Sequence, residues 1–173
     1  MDTERAVVPA VRSALTAACR AVRDADASDA VAGRVPSFVA APASTEEASA
    51  LLRAAAAHEL AVVPRGAGTG LGWGLPPDRC DLVVDMGSMD QVIEHAAGDL
   101  VARVQAGATI GQLSVALAAA GQQLALDAPA EATVGGVVAT GTAGPRSWPA
   151  RPRRALTAGR RPGGRPRSRL QSP

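Results

Sequence analysis

Residues 62–74 read VVPRGAGTGLGWG, an apolar run closed by Pro64 and Arg65 and then five glycines, at 66, 68, 70, 72 and 74. The segment AVVPR, residues 61–65, has the length and β-branched content of a short strand. Glycines at alternate positions behind a strand leave the backbone bare. A large ligand can then come close, and several N–H groups can converge on phosphate oxygens. The pattern predicts an anion or pyrophosphate cradle, with Arg65 adding positive charge at its start. The competing reading is a flexible surface connection, because a lone glycine-rich loop is common. The dinucleotide fingerprint G-x-G-x-x-G does not fit: it would need glycine at 71, 73 or 75, which are Leu71, Trp73 and Leu75. Pro76 and Pro77 also follow where that fingerprint requires a helix. A second small-residue segment, ATVGGVVATGTAG at 132–144, favours the ligand reading, since two bare backbones in one small domain can hold a ligand between them.

Outward from the loop, strands and helices alternate, which predicts an α/β or α+β domain. Residues 4–23 place Val7, Val8, Val11, Leu15, Ala18 and Val22 near helical spacing. Residues 24–36 read as a linker and 37–41 as a short strand. Ser44 with Glu47 forms a capping box that opens a helix over 45–58. Residues 81–85 (DLVVD) are a strand, and 91–95 with 100–107 a hairpin turning near Gly98 and Asp99. Thr109 with Gln112 opens a helix over 109–120, closed by Gly121.

The composition excludes several chemistries. The chain has 173 residues and no lysine; all 18 basic residues are arginine. A Walker loop and a pyridoxal Schiff base both need lysine. Aromatics are limited to Phe38, Trp73 and Trp148. Cys19 and Cys80 lack metal-ligand spacing and read as free thiols. His58 reads as a helix-end residue, His95 as a solvated turn residue, and Asp85 and Asp127 as turn caps. No Ser/His/Asp triad can be assembled from the spacing, no metal site is read, and no catalytic residue is named. Neither a signal peptide nor a membrane span is read, which sets cytoplasmic as the expected location.

The ordered set VVPRGAGTGLGWG, DLVVDMGSMDQVIEHAAGDLVARVQAGATIGQL and ATVGGVVATGTAGPR resembles the vanillyl-alcohol-oxidase/p-cresol-methylhydroxylase (PCMH)-type FAD-binding domain. Within it, the chain is similar to the FAD-binding subunit of glycolate oxidase and related FAD-linked oxidases. The resemblance covers about residues 35–146 and implies an α+β fold of two subdomains with FAD between them. It implies that Pro64, Arg65, Gly66, Ala67, Gly68, Thr69 and Gly70 hold the FAD pyrophosphate, largely through backbone N–H groups. It implies a second lining from Pro129, Thr133, Val134, Gly135, Gly136, Ala139 and Gly144. Thr69 and Thr133 are the hydroxyl donors expected there. Relatives that attach flavin covalently use a histidine where this chain has Gly68, so noncovalent FAD is expected. The function implied is that of a FAD-dependent oxidoreductase of the glycolate or 2-hydroxy-acid type, with other oxidase subunits as partners.

The pattern breaks near Gly144. Residues 1–144 hold all 16 acids and nine arginines, a balance of −7, whereas 145–173 hold nine arginines, six prolines and no acid. By composition this tail is disordered. The division expected is therefore 1–34 (helix and linker), 35–144 (FAD-binding domain, first subdomain plus the start of the second) and 145–173 (tail). Three readings of the tail compete: a frameshift near residue 146 in a GC-rich gene, a basic arm for nucleic acid or an acidic partner, and a short isoform. The frameshift is favoured because the change is abrupt and interrupts a ligand-binding subdomain. The arm lacks aromatic residues that stack bases, apart from Trp148, so nucleic acid is not the expected partner. A domain cut short in this way is expected to bind FAD weakly or not at all, which makes a non-catalytic fragment the alternative function.

Overall fold

A computed structural model describes residues 3–144. The order is helix α1 (Thr3–Ala18), strands β1 (Val22–Asp24) and β2 (Phe38–Ala40), helix α2 (Thr45–Ala57), strands β3 (Val62–Arg65), β4 (Leu82–Asp85), β5 (Val92–Ala96) and β6 (Val101–Val104), and helices α3 (Ile110–Ala118) and α4 (Val134–Thr140). Short 3-10 turns occupy Ala27–Asp29, Met86–Ser88 and Ala97–Asp99. Four strands form one sheet in the order β1-β2-β4-β3; β1 runs antiparallel to β2, and β2, β4 and β3 are mutually parallel. The strands β5 and β6 form a separate antiparallel hairpin.

Alternation along the strands sorts the first lobe into two layers. Phe38, Ala40, Leu82 and Val84 point to one face, where Val11, Leu15 and Cys19 and, from α2, Leu51 and Ala55 close over them. Val39 and Val83 point to the other face and pack with Val31 and Cys80. The central strands are thus buried on both sides, as parallel strands usually are. Residues 3–34 belong to this lobe and do not merely precede it. The helix α1 covers the sheet, β1 extends it through the pairing Val22 to Ala40, and Arg12 pairs with Asp24 while lying 5.3 Å over the Phe38 ring.

The second lobe has its own core of Ile110, Leu113, Leu117, Leu126, Ala132, Val134 and Val137. Its helix α3 begins as the sequence predicts: Gln112 N–H donates to Thr109 Oγ1, and Thr109 N–H to Gln112 Oε1. The cap of α2 differs in detail. Ser44 accepts from Glu47 N–H, but the Glu47 carboxylate takes the N–H of Ala43. The small-residue segment after 132 is a helix, α4, capped by Thr133 and stopped by Gly141 at φ +65°. His95 is half-buried and not solvated: Gln122 holds its Nε2 at 2.9 Å and donates to the Ala97 carbonyl, tying the hairpin turn to the end of α3.

Candidate functional site

Strand β3 delivers its C-terminal end, Arg65, to the seam between the lobes. The glycine loop that follows is interlocked with the start of α4. A Cβ on Gly66 would fall 2.0 Å from Thr133 Oγ1, and one on Gly70 would fall 3.0 Å from Thr140 Cγ2. The two bare segments therefore meet each other directly. Clefts open on either side of the Gly66–Thr133 contact. One is lined by Thr69, Gly70 and Trp73 of the loop, by Pro129 and Ala132, and by Thr140 of α4. The other is lined by Gly66 and Ala67 together with Gly87, Asp90, Gly107 and Gln112.

The backbone donors of the two segments differ in what they do. At the start of α4 all are taken up within the chain. Val134 N–H donates to the Ala108 carbonyl at 2.8 Å, Gly135 N–H to the Ala106 carbonyl at 2.8 Å, and Gly136 N–H to Thr133 Oγ1 at 3.2 Å. Gly135 is required for that approach, since a Cβ there would lie 2.8 Å from the Ala106 carbonyl oxygen. In the loop, among the described residues, the N–H groups of Gly66, Ala67, Gly68, Thr69 and Gly70 have no acceptor in the chain. Gly66, Gly68 and Gly70 are nonetheless half-buried. Folded chains rarely leave such donors unpaired. Five such donors in sequence, with Gly68 at φ +79° and Ala67 and Thr69 exposed, are backbone groups an anion at the loop can use.

The charges nearby are already paired. Asp29 is 2% exposed and accepts from Arg23 at 2.7 Å through both carboxylate oxygens, from the Asp26 amide at 3.1 Å, and from Arg65 at 3.2 Å. Arg65 also donates to Asp85 at 2.9 Å, and the other oxygen of Asp85 accepts from Gly87 N–H. Among the described residues, Asp90 is the only ionisable one lining either cleft. The Arg23 guanidinium, followed by the Asp26 amide and Arg65, holds the Asp29 carboxyl well below the usual carboxylate range, against burial. A folded-state value below the unfolded value of about 3.9 means stability that is present above that pH and lost on going below it. Thermal midpoints followed by circular dichroism are therefore expected to be flat from about pH 7 to pH 5 and to fall below about pH 4. In Asp29→Asn the fall should be shallower; an equal fall would remove Asp29 from the account.

The sequence-predicted residues divide accordingly. Gly66, Ala67, Thr69, Gly70, Pro129, Thr133 and Gly136 line the two clefts, and Gly68, in the same loop, lines neither. Val134 is buried in the second-lobe core and Gly135 seals α4 against Ala106. Pro64 is exposed in β3. Ala139 is exposed and Gly144, at φ +85°, packs against Asp127; neither lines a cleft. Sequence reasoning passed over Trp73, Thr140, Gly107 and Gln112. Of these only Trp73, an aromatic inside a glycine run, carried a local signal. Burial pushes the Cys19 and Cys80 thiols up, away from the thiolate form. Among the described residues no cluster of His, Cys, Asp or Glu could hold a metal ion, and no helix is long and apolar enough to cross a membrane.

The family model of the FAD binding domain matches residues 36–152, which include the glycine loop and helix α4. The chain belongs to this family. The FAD-binding domain is 38% identical over 73 residues to the glycolate oxidase subunit GlcD of Bacillus subtilis, covering 42% of this chain and 16% of that one. It is 37% identical over 110 residues to the D-lactate dehydrogenase of Archaeoglobus fulgidus, covering 63% and 25%. The chain thus spans a quarter or less of these relatives. Among solved structures, p-cresol methylhydroxylase with substrate bound superposes with a TM-score of 0.60 over 77% of this chain and 28% of that one, at 17% identity, a likeness of fold. The expected PCMH-type α+β architecture and the FAD cofactor are borne out. The residues present fit the group in kind: a dinucleotide diphosphate takes backbone N–H donors, and those of Gly66–Gly70 have no acceptor among the described residues.

Proposed function

We propose that the described residues form the diphosphate-holding part of a FAD-dependent oxidoreductase acting on 2-hydroxy acids of the glycolate or lactate kind. The open N–H row of Gly66–Gly70, lying between two clefts, carries this reading. In it, Gly66, Ala67, Gly68, Thr69 and Gly70 receive the diphosphate, with the Thr69 hydroxyl as a further donor. Pro129 forms a wall of the apolar cleft beside Trp73. Thr133, Val134, Gly135 and Gly136 brace the seam; Pro64 and Arg65 set the loop's start, and Ala139 and Gly144 support the segment from outside. Bound FAD supplies the oxidising equivalent, and the chain binds, orients and shields it. Attachment is noncovalent, because Gly68 offers no side chain. The hydroxy-acid class is supported by the named substrates of the glycolate and D-lactate relatives. Partner subunits are supported by the subunit name of GlcD, and a cytoplasmic location remains part of the proposal.

The test is a titration of the purified chain with FAD, followed by quenching of flavin fluorescence. Saturable quenching of low affinity, which acid precipitation reverses by releasing free FAD, is expected. No quenching at any FAD concentration, from a chain whose circular dichroism shows it folded, would refute the assignment of the loop. Residues 145–173 lie outside the described residues, and their frameshift origin stays a proposal. Translating the other two frames past codon 146 tests it: a frame that resumes a flavin-domain sequence supports it, and none that does so removes it.

A further inference from the structure

Arg65 begins the loop, and its sequence position invites a direct role on phosphate. The ion pairs argue otherwise. The Nη2 of Arg65 is shared between Asp29 at 3.2 Å and Asp85 at 2.9 Å, and its side chain is only 18% exposed. Asp29 is itself clamped by Arg23 and by the amide of Asp26, so it cannot swing away. Asp85 spans Arg65 and Gly87 N–H. One connected group of charges therefore joins the turn at Ala27–Asp29, the last residue of β3, the last residue of β4 and the Met86–Ser88 turn. The next residue after Arg65 is Gly66, where the open N–H row starts.

We infer that Arg65 is a positioning residue: held by Asp29 and Asp85, its guanidinium fixes the direction in which the Gly66–Gly70 loop leaves β3, and it makes no contact with the diphosphate. This rests on the FAD reading for its purpose but not for its geometry. An arginine whose charge is already balanced by two carboxylates adds little net attraction for an anion. A loop whose first residue is pinned, by contrast, keeps its donors converged before the ligand arrives.

The full chain is compared with its Arg65→Met, Arg65→Lys and Asp29→Asn variants. Amide nitrogen relaxation reads the order of Gly66–Gly70 without ligand, with β4 and α2 as internal reference. In all three variants the loop order parameter is expected to fall from about 0.85 to below about 0.6 while the reference holds. Lysine keeps the charge, but its shorter stem holds the ammonium short of the place Nη2 occupies between the two carboxylates, so rescue by Lys would point to charge alone. Unchanged loop order in Arg65→Lys and Asp29→Asn overturns the inference, and the latter two keep it testable if Arg65→Met does not fold. With FAD, all three variants should bind about tenfold more weakly. Weaker binding in Arg65→Met alone, with Arg65→Lys and Asp29→Asn unimpaired, would mean direct contact and would also overturn it. A wild-type chain that takes no FAD sinks the functional reading, and the relaxation result still decides this one.

Discussion

Gly107→Ala should lower the thermal midpoint by about 10 °C, the largest stability effect of any single glycine substitution among the described residues. A Cβ at this position would lie 1.9 Å from the Met86 carbonyl oxygen and 2.8 Å from that of Met89. Both obstacles are backbone, so no rotamer change relieves the clash. The Gly107 N–H also donates to the Met89 carbonyl at 2.7 Å, so moving away forfeits that bond. Overpacking a well-fitted site costs about 1–3 kcal/mol, and a buried hydrogen bond lost adds about 1 kcal/mol. Against a total of about 5–15 kcal/mol that is a large share. Gly98→Ala is the control: nothing lies within 4 Å of its would-be Cβ, and a change within about 0.5 kcal/mol is expected. Thermal melts of the two variants side by side make the comparison. A Gly107→Ala midpoint equal to that of Gly98→Ala would show that the approach to Met86 can relax freely.

The second large effect is expected on FAD binding, in Gly66→Ala. The added methyl would stand 2.0 Å from Thr133 Oγ1 and 2.9 Å from its Cγ2. The obstacle here is a side chain, but a buried one that caps α4 through Gly136 N–H. Either the loop shifts or the cap breaks. The first misplaces the anion donors, and the second costs about 1 kcal/mol of helix stability. Affinity for FAD should fall at least about tenfold, the equivalent of about 1.4 kcal/mol. Thr133→Ala removes both clashing atoms, so the double variant should be less impaired than the two single losses combined. A coupling of about 1 kcal/mol or more is expected in the fluorescence titration. Strict additivity would mean that loop and helix do not act through their contact.

These two contacts mark where sequence reading stopped. The caps of α2 and α3 were legible because Ser44 and Thr109 act within three residues of themselves. The loop was legible as glycine-rich, but the reasons for its glycines were not. Gly66 is bare because of a threonine far along the chain, and Gly135 because of Ala106. Helix α4 escaped notice because Gly135 and Gly136 are poor helix formers. It stands on the Thr133 cap and on carbonyls borrowed from residues 106 and 108. Asp29 sat in what read as a linker, since nothing local announces a buried carboxylate. Its partners Arg23 and Arg65 are assembled only by the sheet. The order of motifs nevertheless identified the fold, because each matched a strand end or helix start that the structure reproduces.

The separation of the cores has a kinetic consequence. The apolar clusters of the sheet lobe share no residue with the cluster under α3 and α4. The lobes touch through small, bare backbone at Gly66 and Gly107. Each lobe therefore has the makings of its own cooperative unit, opening at its own rate in native-state hydrogen exchange. A ligand seated along the seam would bind only when both units are closed, and would merge two exchange isotherms into one. Cofactor occupancy, on this view, is written into how many steps the chain takes to come apart.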